Sequence, residues 1–129
     1  MKYVTSKLLL SIGILTIIGC SKEDKKDSTN PVISMVSPVQ NDTISSNEIP
    51  IQFKVTDNEG LTNETMRILD ENNKTLFTET KSIFGTSYTY TNAIEIGGTN
   101  QIKKLTINIV CSDNASNTST STTHFWVKI

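Results

Sequence analysis

Apolar residues recur at every second position in several stretches of this 129-residue chain, and no stretch sustains a helical period. Ile49, Ile51, Phe53 and Val55 alternate with Pro50, Gln52, Lys54 and Thr56. Leu105, Ile107, Ile109 and Cys111 alternate with Thr106, Asn108, Val110 and Ser112, and Phe125, Val127 and Ile129 with His124, Trp126 and Lys128. A strand puts successive side chains on opposite faces, so this period marks strands with one buried face. Weaker strand signals cover Val32–Val36, Met66–Leu69, Thr75–Thr80 and Ser87–Ile96. The strings D-N-E-G, E-N-N-K, G-G-T-N and D-N-A-S-N lie between them and are rich in turn formers. About seven short strands in about 100 residues predict an all-β, two-sheet Greek-key sandwich over residues 31–129.

The N-terminus follows different rules. Lys2 and Lys7 precede an apolar run from Leu8 to Ile18, eleven residues broken only by Ser11, Gly13 and Thr16. Crossing a bilayer as a helix takes roughly 20 apolar residues, whereas a basic start and a short apolar run describe an export signal. An uncleaved N-terminal anchor is the alternative reading. The run ends Ile17-Ile18-Gly19-Cys20, which resembles the lipobox of bacterial lipoproteins: an aliphatic residue three before the cysteine and a small one directly before it. The resemblance implies a signal peptide over 1–19, diacylglycerol and palmitate chains on Cys20, and attachment to the outer membrane. Only Cys111 then remains as a free thiol, so no disulfide can form within the chain.

Removing residues 1–19 leaves ten basic residues against thirteen acidic ones, a net charge of about −3. With no basic patch interleaved with aromatics, this balance argues against nucleic acid as a partner. Residues 21–30, S-K-E-D-K-K-D-S-T-N, hold no apolar side chain and are predicted as a disordered tether following Cys20. Glu23, Asp24 and Asp27 resemble the acidic export signal of surface lipoproteins from Bacteroidetes, diluted by Lys22, Lys25 and Lys26; a plain solvated spacer explains the same residues.

The strings I-Q-F-K-V-T-D-N-E-G-L (51–61) and M-R-I-L-D-E-N-N-K (66–74) resemble strands B and C of bacterial immunoglobulin-like modules. L-T-I-N-I-V-C-S-D-N-A-S-N-T (105–118) resembles their strand F and F–G hairpin. The resemblance implies an Ig-like fold over 31–129, in which the B–C and F–G loops meet at one end. It carries no specific function.

No catalytic set is apparent. His124 is the only histidine, no G-x-S-x-G or zinc spacing occurs, and Cys111 continues the inward phase of its strand. The expectation is a non-enzymatic module for binding, adhesion or spacing, with a protein or glycan partner. Three further features have competing explanations. Asp57, Asn58, Glu59, Asp113 and Asn114 would converge at the loop end and offer oxygen ligands to calcium, or they simply favour turns. Tyr88, Tyr90 and Trp126 would stack on sugar rings, as in an accessory glycan-binding lipoprotein, or they serve packing. Asp27-Ser28-Thr29 and Asp42-Thr43-Ile44 resemble the O-glycosylation sequon of exported Bacteroidetes proteins, with Ser28 and Thr43 as acceptors, or they are unmodified turns.

Overall fold

The computed structural model describes residues 25–97 and 101–128. Cys20 and the rest of residues 1–24, with the signal peptide and the first part of the expected tether, lie outside the described residues. The described chain is all β with no helix. Its strands are β1 (Val32–Ser37), β2 (Thr43–Ile44), β3 (Glu48–Thr56), β4 (Leu61–Leu69), β5 (Thr75–Ser82), β6 (Ser87–Glu95), β7 (Ile102–Asp113) and β8 (Thr118–Lys128).

They form two sheets, ordered β1-β3-β6 and β2-β8-β7-β4-β5. All pairings are antiparallel except β2 with β8. The chain crosses between the sheets after β1, β2, β3, β5 and β6, so neither sheet is built from consecutive hairpins alone. This is an Ig-like two-sheet sandwich. The strand count is eight because of β2, a two-residue segment that adds Ile44 beside Val127.

The core follows the period-2 pattern. Ile49, Ile51, Phe53 and Val55 of β3 face Leu105, Ile107, Ile109 and Cys111 of β7, with Met66, Ile68, Tyr90, Ile94, Phe125 and Val127 completing the layer. Burying one such side chain stabilises by roughly 1.5–3 kcal/mol. Phe53 lies almost parallel to Tyr90, with ring centroids 4.9 Å apart. Pro50 is tolerated in β3 because β1 pairs only with Gln52–Thr56. The Pro50 carbonyl accepts from the Ser37 hydroxyl at 3.0 Å, so the missing N–H falls on the side where the β1 ladder has ended.

Several strands extend beyond the expected bounds, β4 and β8 by the most residues. β4 begins at Leu61 rather than Met66, through the polar run Thr62-Asn63-Glu64-Thr65, because both β5 and β7 pair with it there. A register shift between Leu61 and Asn63 then turns Glu64 inward. β8 begins at Thr118, where alternating threonine and serine carry no apolar signal but pair with β7 throughout.

Glu64 is the core's exception. It is fully buried opposite Cys111, and neither carboxyl oxygen has a hydrogen-bond partner. Burial pushes its carboxyl up to about 7; nearby Glu79 raises it further and Lys81 opposes. Between the ordinary value of 4.5 and about 7, the folded state holds a proton that the unfolded state has released, so stability falls as pH rises through that window. Glu64→Gln should therefore melt higher than the parent at pH 8, by on the order of 3 kcal/mol, with the gap closing below pH 5. Thermal melts at both pH values check this; a gap that does not change with pH refutes it.

Candidate metal centre

The two central strands run out at the same end of the sandwich, and both continue their inward phase into an aspartate. Asp57 follows Phe53 and Val55 directly after β3. Asp113 follows Ile109 and Cys111 as the last residue of β7. Strands packed face to face along their length thus deliver two carboxylates to one point. A third arrives from outside the sheets: Asp27, in the coil before β1. One oxygen from each of Asp27, Asp57 and Asp113 lies within 4.8 Å of the other two.

The surroundings hold these groups in place. Asp57 Oδ1 accepts the amides of Glu59 at 3.0 Å and Gly60 at 2.7 Å, closing its own loop, while its Oδ2 is buried without a partner. Asp113 is 3% exposed. Its Oδ1 accepts the Asn117 amide and its Oδ2 accepts Asn117 Nδ2, both at 2.7 Å. Asp27 Oδ1 accepts the Thr29 amide at 2.9 Å and Asn58 Nδ2 at 3.1 Å. Asp27 Oδ2 is buried without a partner, although the residue as a whole is only 9% exposed. The Thr29 amide, with help from Asn58, holds the Asp27 carboxyl below the usual carboxylate range, so it is ionised at neutral pH.

Ionised carboxylates at this spacing repel one another. A cation reverses the sign. Two oxygens on one calcium, at 2.3–2.6 Å each, can be up to about 5 Å apart, so the observed spacing suits that ion. The donors are all oxygen, which favours hard cations over zinc or copper. Each carboxylate oxygen that already accepts a bond keeps a further lone pair.

The structure therefore amends the ligand set expected from sequence. Asp57 and Asp113 converge. Of the other residues expected there, Asn58 donates to Asp27, Glu59 is exposed and outside the carboxylate cluster, and Asn114 lies over Gly60, where an added Cβ would meet its Nδ2 at 2.5 Å. The third carboxylate is Asp27, from a segment that the sequence alone assigns to the tether. Asp27 is 30 residues from Asp57, and no local pattern links them.

The aromatic residues do not form one platform. Tyr90 is only 2% exposed, stacked on Phe53, with its hydroxyl donating to Glu79 at 2.9 Å, so packing claims it. Tyr88 is half-buried edge-on to Phe53 on the same inner face. Trp126, 39% exposed, lies on the outer face of the other sheet, beside Thr43. Ser28 and Thr43 are both exposed, and Asp27, which precedes Ser28, points into the carboxylate cluster. Cys111 is buried and free, with burial pushing its thiol up to about 11. His124 Nδ1 pairs with the Thr106 hydroxyl at 2.9 Å.

No family model matches the chain. Nor does any curated protein compared with it. Among solved structures it is similar to CopC from Methylosinus trichosporium OB3b, with a TM-score of 0.50 and 17% identity over 75% of this chain and 94% of that one. A likeness at that identity concerns the β-sandwich fold alone.

Asn117 ties the cluster together, since its Nδ2 also reaches the Asp27 carbonyl at 3.2 Å and the Thr29 carbonyl at 3.1 Å. Asn117→Ala removes a donor from a buried carboxylate and should cost about 1.5–3 kcal/mol. Denaturant unfolding at pH 7 measures the loss, and a change below about 0.5 kcal/mol would contradict the role assigned to Asn117.

Proposed function

We propose that this chain is a lipid-anchored, non-enzymatic Ig-like module of the outer membrane that binds calcium at its anchor-side loops and uses the stabilised sandwich to bind or space a partner. The observation that carries the calcium reading is the convergence of Asp27, Asp57 and Asp113 with buried, partnerless oxygens on two of them. The lipid anchor rests on the sequence Ile17-Ile18-Gly19-Cys20 after a short apolar run. With Cys20 acylated, the loop cluster holding Asp27 is the end of the domain where the anchored chain arrives.

Calcium that binds only the folded state adds about 2.7 kcal/mol of stability at a hundredfold excess over Kd. For a domain of this size the melting point should rise by about 10 °C. Melts of the protein in millimolar calcium and in chelator check this. Asp57→Asn with Asp113→Asn should abolish the rise. Equal melting points for the parent in the two buffers would dispose of the site.

Anchoring has its own check. Cys20→Ala should accumulate as an unprocessed precursor or leave the membrane fraction. A variant that is processed normally and stays in the membrane would overturn the anchor.

A further inference from the structure

The three aspartates differ in what holds them. Asp57 and Asp113 are extensions of β3 and β7, fixed by the core. Asp27 belongs to a coil whose residues 25–30, Lys-Lys-Asp-Ser-Thr-Asn, contain no apolar side chain and form no ladder. Hydrophobic burial therefore does nothing to seat this coil before Pro31. Its seating consists of polar links: Asn58 to the Asp27 carboxylate, Asn117 to the Asp27 and Thr29 carbonyls, and the Ser119 hydroxyl to the Pro31 carbonyl. Each such link is offset in part by the hydrogen bonds to water that it replaces. Against them stands the cost of bringing an ionised carboxylate up to two others. The buried, partnerless Oδ2 of Asp27 aims that charge into the cluster.

Resting on the calcium reading above, we infer that calcium at Asp27, Asp57 and Asp113 is a latch that fastens the segment leading from Cys20 onto the sandwich. Without the ion, repulsion opposes the seating of Asp27; with it, Asp27 becomes a ligand shared with the core strands. The consequence is mechanical. With the latch closed, residues 21–26 separate the anchor from the domain, a reach of roughly 20 Å fully extended. With it open, residues 21–30 do so, and the reach grows to roughly 33 Å. Calcium level then sets how far the domain stands from its membrane and how freely it turns.

The test uses the mature lipoprotein in detergent micelles, with calcium chloride as the probe and two readouts. The melting point reports binding. Amide hydrogen exchange at Thr29, whose N–H donates to Asp27, reports seating of the segment. Saturating calcium should slow Thr29 exchange at least tenfold relative to chelator. In Asp27→Asn, the calcium midpoint should rise at least tenfold, and Thr29 exchange should be the same with calcium at the parent's saturating level and with chelator. This variant removes a repelling charge, so its melting point in chelator, at or above that of the parent, shows that it folds. A parent whose melting point rises with calcium while Thr29 exchange stays unchanged overturns the latch and leaves the site standing. Equal slowing in Asp27→Asn overturns it as well. A parent with no melting-point response to calcium overturns the latch and the calcium reading together.

Discussion

The structure depends on the packing of β3 against β7. Each is the middle strand of its sheet, and each contributes four consecutive inward apolar side chains to the shared core. Without that contact neither sheet has a partner for its apolar face, and a single sheet with one bare face is unstable in water. The remaining strands attach to this pair. β1 and β6 flank β3, while β4 and β8 flank β7. The outermost strands, β2 and β5, contribute half-buried residues such as Ile44 and Phe77 to the rim of the core.

The same contact builds the loop-end cluster. A strand that keeps its period to its last residue must aim that residue as it aimed the earlier ones. In β3 and β7 the inward series ends in Asp57 and Asp113, so the apolar core is capped at this end by charge. The arrangement costs stability unless the charge is matched, since buried carboxylates need partners. Asn117 and the Glu59 and Gly60 amides match part of it. The oxygens left over at Asp27 and Asp57 define where a cation fits. Glu64 is a further unmatched carboxyl, buried farther along the sandwich, where burial favours its protonated form up to about pH 7.

Much of the fold was legible because burial on one face imposes alternation, and alternation survives in the sequence. Three strongly periodic strands and the turns between them were visible in this way. The first half of β4 and of β8 were not, since Thr62–Thr65 and Thr118–Thr122 carry no apolar contrast and become strand only through ladder bonds to β7. The two-residue β2 is likewise a product of its neighbour β8. For the site, Asp57 and Asp113 were legible as loop residues that an Ig-like topology brings together. Glu59 shared their composition but lies outside the carboxylate cluster, and Asn58 and Asn114 bring amides rather than carboxylates. Phase could have separated them, because only Asp57 and Asp113 continue the inward series of their strands.

The sequence by itself determined the all-β class, the three strongly periodic strands and the loops from which Asp57 and Asp113 come. These follow from local periodicity and turn chemistry, which need no knowledge of distant partners. Tertiary structure alone decided three things: that Glu64 faces the core, that Tyr90 packs on Phe53 rather than meeting solvent, and that Asp27 completes the cluster. Each depends on a register shift, a sheet-to-sheet contact or the docking of a remote segment. The polar residues 25–30 look the same in sequence whether they float or are seated, because what seats them is two asparagines, Asn58 and Asn117, that lie 31 and 90 residues away from Asp27.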